Sequence, residues 1–512
     1  MLYIDFIEKK FDFFSRNAIV SLFIIGCMAL FLRLYFFEEQ IPVTEDALGY
    51  FWYANDLSIS GKFSDYVANN GWPTFLSIFF SIFHSNNIVD YMILQRVASI
   101  SISALTMIPV YLLCTRFFEK SYSLVGASLF VLEPQIVKNS LLGITEPLYI
   151  FLITIATFLF LSTNKKIIYV SFGITALSTL VRSEGIMLFL VFSILFFIRY
   201  RREHRVVVKY APAIIMFVLI LLPMATIRIQ TSGEDAITSR ILGGVQVVSS
   251  SLLPEKNAEP GTTIDLKNGV VNLTRFLGLS MASYFALFVP FGSLLIFKNR
   301  DYIKTAIILT MAFLLIPAFY AFSQISDTRY LFPLYPFFSI LSIFTIKTLV
   351  TNIIYRNIFL ILLIFGILLL SWYFLYSHNV DVEHEKEAFN LAQYVANTTT
   401  VINQYLPESK YIALAGMTHL QSFPVLKSEF KEPAKPLKLE ANSLQEYIQV
   451  GKEKGLTHLV LDGAKNRPNF LNDVFYHEEK YPYLLKEFDS FEHGYKYHLK
   501  IYKIDYKKIE LM

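Results

Sequence analysis

The sequence predicts a mainly α-helical, polytopic membrane protein with a C-terminal α/β domain on the outer side of the membrane. Three observations carry that expectation. Of the 512 residues, 54% are hydrophobic and only 17% charged, against about 25% charged in soluble domains. So much apolar surface is covered by lipid, not by a water-facing globule. Lys and Arg alternate from loop to loop, and the composition changes after Tyr376.

The elements follow in chain order. The opening "MLYIDFIEKKFDFFSRN" is charged, and no small-residue cleavage site follows the next apolar run. That run therefore reads as a first span rather than a signal peptide. A helix needs about 20 apolar residues to cross a bilayer core. Candidate spans lie near 17–37, 91–115, 121–138, 147–163, 167–181, 185–198, 207–227, 277–297, 303–322, 329–350 and 357–376. That makes about eleven, with Arg182 and Glu184 interrupting the stretch at 167–198.

One set of loops is basic: Arg116 and Lys120; Lys165 and Lys166; Arg199, Arg201, Arg202, Arg205 and Lys209; Lys298, Arg300 and Lys304; Lys347 and Arg356. The N-terminal tail adds Lys9, Lys10 and Arg16. The excess of cations places this set, and the N-terminus, in the cytoplasm. Segments 38–90, 139–146, 182–184, 228–276, 323–328 and everything after 377 then face outward. An odd number of spans satisfies this alternation.

The first outer loop, about 38–90, is rich in aromatic residues at 47–57, and "GWPTFLSIFFSIF" at 71–83 is too short to span comfortably. Both read as helices lying along the membrane surface. Two domains result: a transmembrane domain at 1–376 and a soluble one at 377–512. Within the second, "SHNVDVEHEKEAFNLAQYVANTTTVINQYLPESKYIALAG" reads as a helix and then a strand "KYIALAG". "SLQEYIQVGKEKGLTHLVLDG" reads as a helix, a Gly-containing turn and a strand "THLVLD", and "YKYHLKIYKIDY" as a final strand. Two sequons, at Asn272 and Asn397, fall on the outer side. Cys27 and Cys114 sit in apolar runs and read as small core residues. His84 and His204 read as ordinary loop residues, and neither repeats nor low-complexity segments are evident.

The ionisable residues that look out of place gather at the outer face: Glu45, Asp46, Arg96, Lys138, Glu146, Arg182, Glu184, Asp327 and Arg329. Charges at membrane ends are costly unless hydrated or paired, which makes them functional candidates. Arg and Lys suit a phosphate head group, Arg by paired hydrogen bonds. A carboxylate suits proton removal from an incoming hydroxyl. Plainer readings stand beside these. Thr44 followed by Glu45 and Asp46 makes an ordinary helix start, and so does Glu146-Pro147. Arg96 and Lys138 read equally as snorkelling anchors. Arg182 can pair with Glu184 in a structural turn, and Arg329 can be an interfacial anchor. Arg33 is expected to snorkel or to meet Asp46.

Four stretches carry a family resemblance. "TEDALGYFWYAND" resembles the acidic first-loop motif of the GT-C glycosyltransferases, matching at Asp46, Tyr50 and Ala54. "LFVLEPQIVKNSLLGITEPLYIFL" resembles their third-to-fourth helix region through Pro134 and Glu146-Pro147-Leu148. "LSTLVRSEGIMLFL" resembles an Arg-Pro-Glu-Gly element with Ser183 in place of the Pro, and "DTRYLFPLYPFF" a late Arg-Tyr-x-x-Pro element. The resemblance covers residues 17 to about 376 and leans toward the branch of protein O-mannosyltransferases and lipid A aminoarabinose transferases.

The resemblance implies an inverting enzyme that moves a hexosyl or pentosyl group from a polyprenyl (dolichyl-type) phosphate donor to an acceptor hydroxyl at the outer face. Asp46, with Glu45 beside it, would be the general base. Arg329, Arg182, Arg96 and Lys138 would hold the donor phosphate, with the first two ranked highest. Glu146 and Tyr50 would position the acceptor, with Glu146 alternatively pairing an arginine or joining a metal site. No His/Cys cluster has metal-ligand spacing, so no cofactor is expected, although some members of that family use a divalent cation. The expected partners are the lipid-linked sugar, an acceptor protein, glycan or lipid, and membrane lipids, not nucleic acid. A transporter or flippase of a lipid-linked or anionic substrate is the alternative. It would call for broken helices or mid-membrane charges, and often an inverted repeat. The C-terminal domain carries no catalytic motif and is expected to assist acceptor binding or stability.

Overall fold

The computed structural model describes residues 17–43, 45–63, 70–85, 88–233, 235, 266–281, 283–298, 301–323, 327–351, 353, 355–378, 382–399, 401–403, 435–437, 439, 441–462 and 467–510. The predicted strand "KYIALAG" and most of the 228–276 loop lie outside these residues. The chain divides into two compact units, residues 1–37, 49–79 and 94–379, and residues 38–48, 80–93 and 380–512.

The first unit is helical. Its elements are α1 (Ala18–Tyr35), α2 (Glu45–Ser60, from Gly49 onward), α3 (Gly71–Ile82, as far as Phe79), α4 (Ile88–Leu105, from Leu94) and α5 (Met107–Cys114). Then follow α6 (Lys120–Val131), α7 (Pro134–Ser140), α8 (Glu146–Phe160), α9 (Lys165–Val181), α10 (Gly185–Tyr200) and α11 (Val206–Ser232). After the loop come α12 (Leu266–Met281), α13 (Phe285–Ile296), α14 (Tyr302–Thr310), α15 (Leu315–Phe322), α16 (Tyr335–Val350) and α17 (Arg356–Ser377). Short 3₁₀ turns at Met311–Leu314 and Thr328–Leu334 join α14 to α15 and lead into α16. Helix α6 lies deepest, with every residue from Ser121 to Val131 buried, and α1, α5, α16 and α17 pack against it.

Among the described residues, six helices are long and apolar enough to cross a membrane, or seven if the pair around Ala282, bent by 107°, counts as one. The sequence reading expected about eleven. The difference lies in apolar helices such as α8, of 15 residues, and α10, of 16. At about 1.5 Å per residue these fall short of a hydrocarbon core. The expected span at 121–138 is broken at Leu132–Glu133, where Pro134 starts α7 without a backbone donor.

The break explains Arg33, which neither snorkels nor needs Asp46 for its hydrogen bonds. Its fully buried guanidinium donates to Ala29 O (3.1 Å), to Val131 O at the end of α6 (2.9 Å) and to Ser103 Oγ (2.9 Å). Glu133 caps the other side. Its carboxylate accepts from Ile136 N (2.9 Å) in the first turn of α7 and from the Ser283 hydroxyl (3.0 Å). A cation at a helix C-terminus and an anion at the next N-terminus complement the backbone dipoles at both ends of the break. Cys114 is buried as expected, whereas Cys27 is exposed on α1.

The second unit is α/β. Helices α18 (Val382–Thr398), α19 (Leu444–Glu453), α20 (Asn469–Tyr476) and α21 (Tyr506–Glu510) accompany a five-stranded sheet. Its strands are β1 (Val401–Asn403), β2 (Lys435–Leu437), β3 (His458–Asp462), β4 (Leu484–Asp489) and β5 (Leu499–Ile504), in the order β2-β1-β3-β5-β4. β2, β1 and β3 run parallel, and β5 pairs antiparallel with both β3 and β4. All five residues of β3 are buried, as a central strand covered on both faces requires. The boundary expected at 377 is incomplete, since this unit also takes 38–48 and 80–93 from the first outer loop. Lys386 Nζ lies 3.9 Å from Glu38 Oε2 within it. That pair is solvated and adds little.

Candidate active site

The break between α9 and α10 organises the site in the first unit. Helix α9 ends at Val181, and Gly185 starts α10 after the tight turn Arg182–Ser183–Glu184. A side chain at position 185 would place its Cβ 2.8 Å from Thr179 N, so the turn needs glycine. Arg182 Nη1 donates to Glu146 Oε1 at 2.5 Å and to Thr145 Oγ1 at 3.3 Å, and Nη2 donates to Glu184 Oε1 at 2.9 Å. Glu146 is buried in the first turn of α8, behind Pro147. The guanidinium lies over the Tyr330 ring at 5.4 Å, and Tyr330 stacks on Tyr320 with centroids 3.7 Å apart. Tyr50, buried on α2, is also near enough to act electrostatically on Arg182.

Two carboxylates thus face one guanidinium in a poorly solvated place. Together they favour positive charge nearby.

The other predicted cations are placed differently. Arg96 is buried, donates from Nε to Leu141 O (2.7 Å) and lies over the Phe37 ring at 4.3 Å. It braces the turn before Glu146. Gly143 in that turn has φ +75°, a conformation that favours glycine, and sits tight against the Gln95 and Arg96 side chains. Lys138 Nζ donates to His378 O at 2.8 Å. Arg329 is half-buried. Its Nε donates to Asp327 Oδ2 (2.8 Å), while Asp327 Oδ1 accepts from Arg329 N (2.9 Å) and opens the 3₁₀ turn. That turn packs against α8.

Asp46 is exposed in the first turn of α2, and Glu45 is the first residue of that helix, its side chain outside the described residues. Tyr50 and Tyr53, three residues apart, share one face of α2. Of the predicted residues, the structure brings Arg182 and Glu146 into direct contact. It holds Arg96, Lys138 and Arg329 by other partners. Among the described residues, no group of three or more His, Cys, Asp and Glu side chains is close enough to hold a metal ion.

Sequence reasoning missed Asn70 and Arg228. Arg228 Nη1 donates to Asn70 Oδ1 (2.5 Å), and Asn70 Nδ2 donates to Tyr53 OH (2.9 Å). The available signals were an arginine in the last turns of a long apolar helix and a polar residue opening "NGWP".

No family model matches the chain, and no curated protein matches it in sequence. Solved structures match in fold. The structure of ArnT from Cupriavidus metallidurans bound to undecaprenyl phosphate superposes with a TM-score of 0.59 at 10% identity, over 96% of this chain and 98% of that one. The oligosaccharyltransferase of Archaeoglobus fulgidus in its apo form gives 0.56 at 12% identity, over 88% and 70%. The same archaeal enzyme, AglB, in complex with an inhibitory peptide and a dolichol-phosphate gives 0.55 at 12%, over 88% and 70%. The chain has the fold expected of GT-C glycosyltransferases.

Proposed function

We propose that this chain is an inverting, membrane-embedded glycosyltransferase that uses a polyprenyl-phosphate sugar. The observation that carries the reading is the likeness over nearly the whole chain to a structure bound to undecaprenyl phosphate, joined to the charge-rich break at Arg182. The site faces outward, the N-terminus lies in the cytoplasm, and the α/β unit is extracytoplasmic. The loop charges support that orientation.

In this reading Asp46 removes the proton from the acceptor hydroxyl, with Glu45 beside it. The acceptor oxygen attacks the anomeric carbon from the face opposite the lipid phosphate, the bond to phosphate breaks, and the polyprenyl phosphate leaves with the electron pair. Positive charge develops on the sugar ring as that bond loosens. The carboxylates of Glu146 and Glu184 stabilise it, and Arg182 holds both in place. Arg329 and Lys138 receive the phosphate. Lys138 donates to a carbonyl and Arg329 pairs with Asp327. Arg96 keeps the Glu146 turn in shape, and Tyr50 lines the acceptor side. The hydroxyl belongs to a protein, glycan or lipid.

The broken helix at Glu133 is a feature the transporter reading calls for. Its charges, however, are spent on capping helix ends. The test is transfer from synthetic undecaprenyl-phosphate monosaccharides by the purified full chain in nanodiscs, with Asp46→Asn alongside. The reading expects turnover by the wild type and a loss of about 100-fold or more in the variant. Wild-type turnover by the variant would remove Asp46 from the mechanism.

A further inference from the structure

We infer that Asn70, Gly71 and Trp72 are positioning residues which together fix the three parts of the site, an assignment that rests on the function proposed above. The three residues are consecutive at the start of α3, and each touches a different part. Asn70 is buried, and its amide is used at both ends: Oδ1 accepts from Arg228 Nη1 at the end of α11, and Nδ2 donates to Tyr53 OH on α2. Tyr53 shares its helix face with Tyr50, three residues earlier, so this bond sets the rotation of that face.

Gly71 lies directly on the end of α9. A Cβ there would fall 2.6 Å from Val181 N and 2.7 Å from Leu180 C, both backbone atoms, one residue before Arg182. Neither atom can give way without moving the Arg182 turn. Trp72 is fully buried, and its Nε1 donates to Gly143 O (3.0 Å), three residues before Glu146. Gln95 Nε2 donates to the same carbonyl (2.7 Å).

The stretch "NGW" therefore touches α2, the residue before Arg182 and the turn that leads to Glu146. None of the three side chains adds a charge or a nucleophile. Their contribution is geometric, and geometry of this kind acts on turnover: a displacement of about 1 Å can cost about 100-fold. The expectation of a surface helix at 71–83 missed this, because the periodicity of α3 says nothing about what its first turn touches.

The test compares Asn70→Leu, which breaks both amide bonds, with Asn70→Asp. The latter still accepts from Arg228 and from the Tyr53 hydroxyl. Full-length protein in nanodiscs is assayed for kcat and donor KM with undecaprenyl-phosphate monosaccharides, and for binding of undecaprenyl phosphate alone. The inference expects kcat to fall about 10- to 100-fold in Asn70→Leu with donor KM and lipid binding unchanged, and to recover in Asn70→Asp. Trp72→Phe, which keeps the ring and loses the N–H, serves if Asn70→Leu does not fold, and should show the same split. Unchanged kcat overturns the inference. So does a parallel loss of lipid binding, or an Asn70→Asp variant no better than Asn70→Leu. Asp46→Asn in the same assay separates the two claims. If it is inactive while Asn70→Leu is normal, only this inference falls; if it is active, the proposed mechanism falls and takes the inference with it.

Discussion

Each unit buries an arginine against carboxylates, and the two arrangements differ in a way that separates structure from chemistry. In the α/β unit, Arg467 and Asp462 form a buried pair whose side chains are each 2% exposed. Arg467 Nη1 donates to Asp462 Oδ1 (2.9 Å), Nη2 donates to the Asp462 carbonyl, and Nε donates to Asn472 Oδ1 (2.8 Å). The Tyr497 hydroxyl donates to Asp462 Oδ2. Every nitrogen of the guanidinium is used. In the helical unit, one guanidinium meets two carboxylates at a helix break, beside stacked tyrosines. The first pair holds a strand end in place, whereas two carboxylates on one arginine at a helix break mark a candidate for chemistry.

The comparison can be broken in several ways. The largest effect is expected at Glu146→Gln, which removes one of the two carboxylates on Arg182. Transfer should fall about 100- to 1,000-fold, while the thermal midpoint of the purified protein changes little because Glu184 still pairs Arg182. Next is Asp462→Ala, which strands Arg467. It should destabilise the α/β unit by about 3 kcal/mol, read by denaturant unfolding, with turnover per folded molecule unchanged. A fall in that turnover would mean the buried pair also serves the reaction. Lys138→Met should weaken donor affinity about tenfold, the worth of about one charge-assisted hydrogen bond, seen in KM rather than kcat.

The smallest effect concerns pH. Burial pushes the His458 imidazole below its usual value despite the Glu487 carboxylate 3.3 Å away. The unfolded chain then binds a proton that the folded chain resists. Stability conferred there is present above about pH 6.5 and lost as pH falls through the lowered value. Melting of His458→Gln should show a shallower loss on acidification than the wild type.

How much of this was legible in the sequence follows from the range of each interaction. The break at Arg182, the helix start at Glu146-Pro147 and the strands β3 and β5 are written in local pattern, and they appear where expected. Arg33 was misjudged because a cation near a helix end usually snorkels, and only the packing of α1 on α6 supplies the carbonyl of Val131. Glu133 sat inside a quoted motif, but its capping of α7 required a break that apolar composition conceals. Asn70 meets Arg228 across 158 positions and Trp72 meets Gly143 across 71, and no periodicity encodes such partners. The assignment of 38–48 and 80–93 to the second unit was equally out of reach, since it depends on tertiary contacts alone.

The most direct test of the central claim is a titration of the full chain in nanodiscs with undecaprenyl phosphate, followed by native mass spectrometry, for the wild type and Arg329→Ala. The account predicts saturable one-to-one binding to the wild type, weakened about tenfold in the variant. Absence of saturable binding, or equal affinity in the two proteins, would contradict it.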